Sequence, residues 1–315
     1  MFNMNLSFLK FVKQNVDANE YEITCLIKKT EKEILNLQKG IEYSNSMNNS
    51  SYKLLEEPFV QGSIAMKTTV NGLFSKNDID ISLVFDKDEI DKSPVKAKKA
   101  LLSMLRPFVN QSETNIDYHT NCIRCVYRDG SHADLAVYRR YKLNSGDADY
   151  IYEHGGSKWR FWEPRKIVEW FHLKNEESGG QLRIIVKLLK MFCKSRKHWR
   201  MPGGIILTIL AVENYRAVDR IDEAFYIVMR NIIKRLKRNK EISNPLNQGQ
   251  SLIRKKEEEV KVENLYKRLF VYVTKLNDLF KEDCTCELAN TLWGEFFNHP
   301  YWNQTQDNKM LATKF

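Results

Sequence analysis

Between Gln61 and Phe85 the chain reads QGSIAMKTTVNGLFSKNDIDISLVF, and this stretch restricts the available folds more than any other. Asp78 and Asp80 stand two apart at the head of an apolar run, ISLVF, whose composition is that of a buried strand. Residues i and i+2 of a strand leave the same face, about 7 Å apart, so the fold has to accommodate two neighbouring carboxylates. Upstream, Gly62-Ser63 opens a helical turn. Glycine lets the backbone approach a phosphate closely, and the residues after it present free amides at a helix start. A loop containing Asn71-Gly72 joins this turn to the strand. A third carboxylate, Asp134, lies in a second strand-like run, HADLAVY.

Three carboxylates gathered on one sheet repel. At an effective dielectric near 20, each pair about 5 Å apart costs roughly 3 kcal/mol. The local sequence offers them no dedicated basic partner. Two divalent cations resolve the repulsion: Mg²⁺ or Mn²⁺ prefers hard oxygen ligands and keeps coordination sites for phosphate. Such a pair activates an attacking hydroxyl and stabilises leaving pyrophosphate. Each part alone is weak, because Gly-Ser is common and a lone Asp-x-Asp is more often a turn or a solvated edge. Their joint order carries the reading: strand, Gly-Ser turn, Asp-x-Asp strand, then a hairpin bearing an apolar-flanked Asp.

The rest of the chain supports this centre. Residues 6–16 read as a short helix with Leu6, Leu9 and Val12 on one side. From Glu20 to about Tyr43, Ile23, Ile27, Ile34, Leu37 and Ile41 recur at helical spacing, and the Asn- and Ser-rich residues 44–51 end the helix. YKLLEEPFVQG reads as a short strand. After a charged loop over 86–92, Ser93-Pro94 caps and starts a helix to about Phe108, which should bury Leu101, Leu102, Leu105 and Phe108. Strands are expected over 113–119, 121–128 and 132–138, the last two joined at Asp129-Gly130. Residues 142–163 read as irregular and contain the lobe boundary. Helices then follow at Pro164, along LRIIVKLLKMFCK, after Met201-Pro202-Gly203-Gly204, from Asp219, and at about 252–282 and 285–297, with ISNPLNQGQS as a loop. The polar tail after Trp302 should fray. The domains expected are therefore 1–50 (N-terminal helices), 51–150 (catalytic lobe), 151–302 (helical lobe) and 303–315 (tail).

A formal net charge of +10 over 315 residues favours polyanionic partners such as nucleotides or nucleic acid, although a merely basic surface accounts for it equally well. Six cysteines form no framework. Cys122 and Cys125 are three apart on a strand-like run, which sends them to opposite faces and argues against a shared zinc ion, and Cys284 and Cys286 lack a matching His/Cys pair. Reduced thiols and a cytoplasmic location are expected. The N-terminus lacks the pattern of a signal peptide, and no run reaches the roughly 20 apolar residues of a membrane span.

In this arrangement the sequence resembles the CD-NTase family, the cGAS/DncV-like nucleotidyltransferases of bacterial anti-phage signalling (CBASS), within the polymerase-beta-like superfamily. LRIIVKLLKMFCKSR followed by PGGIILTILAVENY resembles that family's helical domain, so the resemblance covers about residues 20–300. It implies an α+β fold of two lobes, a mixed-sheet catalytic lobe and a helical bundle, with the long N-terminal helix bridging them. It implies an antiviral-defence enzyme that joins NTPs, ATP or GTP foremost, into a cyclic di- or trinucleotide second messenger for a downstream effector. An activating nucleic acid or protein and two Mg²⁺ or Mn²⁺ ions belong to the same expectation. Asp78, Asp80 and Asp134 would bind the metals, while Gln61, Gly62, Ser63 and Lys187 would hold the nucleotide. Many relatives have a serine where this chain has Gly203, so a hydroxyl contact to phosphate is missing there or replaced by backbone amide. Asn244-Pro245 resembles a segment near the family's cleft, with a simple turn as the competing reading. Tyr138, Tyr141, Trp159 and Trp162 are candidates for base stacking. The chain ends in Thr313-Lys314-Phe315, so conjugation through a terminal glycine is not expected.

Two other readings compete. The basic runs KSRKHWR (194–200) and KRLKRNK (234–240) would suit an enzyme that extends or modifies RNA, as poly(A)-polymerase and tRNA-modifying relatives do. No appended RNA-binding module accompanies them. A catalytically dead binding protein is the third reading, opposed by the intact Gly62-Ser63 and the three aspartates.

Overall fold

The computed structural model describes residues 1–48, 51–71 and 77–303, so Gly72 of the expected loop and the expected frayed tail from Gln304 lie outside the described residues. The chain begins with α1 (Asn5–Phe11), continued by a π-helical turn over Val12–Val16, and α2 (Glu20–Asn48). Then come β1 (Phe59–Gln61), the single turn α3 (Gly62–Ala65), β2 (Asp78–Asp86) and α4 (Pro94–Leu105). Five strands follow: β3 (Thr114–Tyr118), β4 (Ile123–Tyr127), β5 (His132–Tyr141), β6 (Ile151–Gly155) and β7 (Trp159–Phe161). The remainder is mostly helical: α5 (Pro164–Glu177), α6 (Gln181–Lys194), α7 (Gly204–Asn214), α8 (Ile221–Arg238), α9 (Lys256–Lys275) and α10 (Cys286–Phe297), with a small hairpin of β8 (Ser243–Asn244) and β9 (Asn247–Ser251) after α8.

Packing divides the chain into two compact units that do not follow the boundaries expected from composition. One comprises Asn19–Lys67 and a stretch ending at Phe171, so it includes α2 and the whole seven-stranded sheet. The other comprises Met1–Ala18, a short segment beginning at Thr68, and the chain from His172 onward.

In the sheet unit the strand order is β1-β2-β5-β4-β3, with β6 paired to the far end of β5 and β7 to β6. β2 and β5 run parallel and every other neighbour is antiparallel, which is the mixed sheet expected. Strand alternation separates two faces. Ile79, Ile81, Leu83 and Phe85 of β2, with Ala133, Leu135 and Val137 of β5, form a core with Leu37 and Ile41 of α2 and Leu101 and Leu105 of α4. Helices α2 and α4 approach closely because Gly40 has no side chain: a Cβ there would overlap the Met104 carbonyl. The opposite face carries Asp78, Asp80, Asp134 and a smaller cluster of Val84, Ala136 and Tyr138. Ser93 caps α4 by accepting from the Lys96 amide, with Pro94 at the first helical position.

The structure departs from the sequence reading at several places. Strands β6 and β7 replace the irregular stretch expected over 142–163; their short alternation is interrupted by Gly155 and Gly156 and reads as loop. Leu102 and Phe108, expected in the core, are only partly buried: Leu102 stands at the margin of the α4 face that buries Leu101 and Leu105, and Phe108 lies in the 3₁₀ turn that follows the end of α4 at Leu105. ISNPLNQGQS is the β8–β9 hairpin. Asn244 is fully buried, accepts from the Leu246 amide and donates to Gln250, so Asn244-Pro245 is a turn stabilised by its own asparagine.

The helical unit has an aromatic core. Phe8 and Phe11 from α1 join Phe225 of α8, Trp293, Phe296 and Phe297 of α10, and Trp302. Met4 donates its amide to the fully buried Asp222, which also receives Arg220 at 2.6 Å. Among the described residues, no helix is long and apolar enough to cross a membrane.

Candidate active site

The sheet register sets the centre of the site. Gln61 of β1 lies opposite Asp80 of β2, Asp80 opposite Asp134 of β5, and Asp134 opposite Arg124 of β4. These four residues form one row across four strands, and registered neighbours share a face. Asp78 lies one step along the same face, in register with His132. The backbone thus brings the three expected carboxylates to adjacent positions.

Gly62 begins α3 immediately after β1 and packs on this row. Its φ is +65°, a left-handed conformation suited to glycine. A Cβ at this position would collide with the Asp80 carboxylate, whose Cγ would lie 3.1 Å away. The Gly62 backbone is therefore seated directly against Asp80, with Ser63 next in the turn. Gln61, expected on substrate, is mostly buried, and its Oε1 accepts a 2.8 Å hydrogen bond from the Tyr138 hydroxyl.

That bond also corrects the reading of Tyr138 as a stacking residue. Tyr138 is buried in the small cluster on this face, and its ring stands 5.0 Å from His154. It braces the β1 end of the row and leaves no open ring face for a base. Trp162 packs against the same cluster. Trp159 donates to the Lys92 carbonyl at 3.1 Å and carries Arg139 over its ring, while Lys87 sits 3.6 Å from the centre of the Tyr141 ring.

The main correction concerns charge. Asp134 has a dedicated basic partner: Arg124 Nε donates to Oδ1 and Nη2 to Oδ2, each at 2.7 Å. This is the planar two-pronged pairing that a guanidinium makes with a carboxylate. Its bond to Asp134 pushes the Arg124 pKa further up. Cys122, two residues before Arg124 and just ahead of β4, is buried beside Asp134; burial foremost, then the carboxylate, raises its thiol pKa. Burial, and after it the nearby Arg124, lowers the pKa of His132.

Arg124 escapes sequence reasoning because of the hairpin turn. Asp129-Gly130 suggests a two-residue turn, which would set Arg124 opposite Leu135. The observed loop is Arg128-Asp129-Gly130: the Tyr127 amide donates to the Ser131 carbonyl at 2.9 Å, and Gly130 takes φ +82°. One extra residue shifts the register by one and turns Arg124 to the carboxylate face. The cysteines follow the same alternation. Cys125 enters the helix-covered core, Cys122 does not, and both are free thiols.

Hard oxygen donors on one face suit a divalent cation, and the register of Asp78, Asp80 and Asp134 fits that requirement. The side chains are not gathered into a cage: among the described residues no three His, Cys, Asp or Glu side chains are grouped to hold a metal ion. Both Asp134 oxygens are turned to Arg124 instead.

Two expected phosphate contacts belong to the helical unit. Lys187 on α6 donates to Asp17 at 2.7 Å, so its ammonium is ion-paired. Gly203 caps α7 in an extended conformation, with open space where a side chain would project. A nearby lysine that sequence reading passed over, Lys190, is buried and donates to the Thr68 hydroxyl at 2.8 Å.

Residues 57–138 match the family model described as cyclic GMP-AMP synthase DncV-like, nucleotidyltransferase domain, a span that contains Gly62, Ser63 and all three aspartates. This is a DncV-like nucleotidyltransferase domain. Solved structures extend the likeness of fold to nearly the whole chain. Vibrio cholerae DncV cyclic AMP-GMP synthase, in complex with the linear intermediate 5′ pppA(3′,5′)pG, is 12% identical with a TM-score of 0.72, over 95% of this chain and 97% of that one. Escherichia coli DncV in its 3′-deoxy GTP bound form is 14% identical with a TM-score of 0.71, over 96% and 98%. CdnC of E. coli MS115-1, with ATP, is 12% identical with a TM-score of 0.69, over 94% and 98%. The fold is that of these DncV and CdnC structures, as the sequence resemblance implied.

Proposed function

We propose that this protein is a metal-dependent nucleotidyltransferase that joins NTPs into a cyclic di- or trinucleotide with release of pyrophosphate. The observation that carries the reading is the row of Asp80 and Asp134 on paired parallel strands, with Asp78 beside them and the Gly62 backbone seated on Asp80. Asp78, Asp80 and Asp134 would hold two Mg²⁺ or Mn²⁺ ions, which when bound activate the attacking hydroxyl and neutralise charge on the leaving pyrophosphate. Gly62 allows the donor phosphates to approach the main chain, and Ser63 offers a hydroxyl and an amide toward them. Gln61 and Tyr138 keep β1 in register with β2, so that the turn bearing Gly62 stays against Asp80.

A cyclic product is supported by the family model and by the similarity in fold to DncV, a cyclic AMP-GMP synthase, across both units. A second-messenger role in anti-phage defence, with an effector that senses the product, is the biological setting in which we place the activity.

The test uses purified protein with labelled ATP, GTP, CTP and UTP and either Mg²⁺ or Mn²⁺. Phosphatase-resistant small products support the proposal. Label that enters added RNA and no small product would instead identify an RNA-extending enzyme, and silence under every metal and activator would identify a binding protein. Asp80→Ala is expected to abolish product while circular dichroism stays unchanged. Full activity in that variant would remove the metal-site assignment.

A further inference from the structure

Arg124 stands at a position that no part of the proposed chemistry requires. It lies opposite Asp134 in the β4–β5 register, and both of its bonds go to the two oxygens of that one carboxylate. A guanidinium fork takes one in-plane lone pair on each carboxylate oxygen and places a full positive charge against both, where a metal ion would otherwise sit. Asp78 and Asp80 lie on the other side of Asp134 in the sheet, away from β4. The fork engages Asp134 from the β4 side, and among the described residues no three acids are grouped to hold a metal ion.

Exposure indicates which partner can leave. The Arg124 side chain is 31% exposed and that of Asp134 is 14% exposed, so the guanidinium can swing toward solvent while the aspartate stays in place. Asp117 of β3 is the other register partner of Arg124, so the guanidinium has an alternative acid on its far side once Asp134 is released.

We propose that Arg124 is an internal counter-ion for Asp134, held in place until a divalent cation displaces it, so that the metal site is completed by the exchange of one cation for another. The inference rests on the metal-binding reading of Asp78, Asp80 and Asp134. Under it, Arg124 is a positioning residue that sets the metal concentration at which the site fills. It also keeps the three acids from repelling one another before the metal arrives, which is the problem the carboxylate pattern posed from the start.

The test is Mn²⁺ binding to nucleotide-free protein, followed by the loss of the free-ion signal in electron paramagnetic resonance, for the wild type, Arg124→Gln and Arg124→Lys. Arg124→Gln removes the competing cation and should bind Mn²⁺ on the order of tenfold to a hundredfold more tightly. Arg124→Lys keeps the charge but loses the fork, and should tighten binding by a smaller factor. A pure through-space charge effect would leave the lysine variant equal to the wild type, and a structural role would weaken binding in both variants; either result overturns the proposal. Should Arg124→Gln fail to fold, the lysine variant decides alone. The double variant Asp78→Asn/Asp80→Asn separates the two levels of inference. If it binds Mn²⁺ as the wild type does, the metal-site reading itself fails; if it loses Mn²⁺ while the Arg124 variants match the wild type, only the counter-ion proposal fails.

Discussion

At the residue scale, Gly62 shows how one side chain's absence determines a site. Two independent constraints meet there: a left-handed backbone and an Asp80 carboxylate occupying the space a Cβ would need. Gly62→Ala should therefore cost about 1–2 kcal/mol in folding free energy, measured by urea denaturation, from the backbone alone. It should also displace Asp80 and lower product formation by at least about tenfold, an effect larger than the stability loss explains. Unchanged turnover would show that the close seat of Gly62 on Asp80 is dispensable. The requirement for a glycine is legible in the sequence as Gly-Ser before an Asp-x-Asp strand, but its reason is not, since Asp80 lies eighteen residues further on and meets Gly62 only through the β1–β2 pairing.

At the scale of elements, α4 is tied to the β6–β7 turn by a buried lysine. Lys98 is fully buried; its ammonium donates to the Gly156 carbonyl at 2.9 Å and to the Gly155 carbonyl. Burial lowers its pKa to about 8. Because the folded pKa lies below the unfolded one, the unfolded chain binds more protons between about pH 8 and the ordinary lysine value near 10.4. The contribution of Lys98 to stability should thus be least below pH 8 and rise across that window as pH increases. Chemical denaturation at several pH values tests this: Lys98→Met, similar in length and uncharged, should remove the rise seen in the wild type. Parallel pH profiles for the two proteins would refute it. No periodicity forecasts this link, because Lys98 reads as an exposed position on an amphipathic helix and β6 and β7 are too short to signal themselves. The hairpin β4–β5 is the opposite case. Its existence is plain from Asp129-Gly130, yet a single residue in the loop decides which face Arg124 occupies.

At the scale of the whole molecule, the ends of the chain share one core. Phe8 of α1 meets Trp293 at 4.7 Å and Trp302 at 5.3 Å between ring centres, so residues nearly three hundred positions apart depend on each other. Phe8→Ala should destabilise the helical unit by about 3–5 kcal/mol, read as an earlier thermal or urea transition. A loss below about 1 kcal/mol would mean that α1 is peripheral. Sequence reading assigned the first fifty residues to one N-terminal segment; packing instead places α1 with the helices and α2 with the sheet. By itself the sequence determined the mixed-sheet and helical classes, the acids Asp78, Asp80 and Asp134, and the glycine turn, because each rests on local spacing and backbone preference. Tertiary structure alone decided that the first two of those acids lie beside a third already held by Arg124. Register joins residues across strands, and a shift of one position inverts every side chain, so no local pattern can specify which charge faces which.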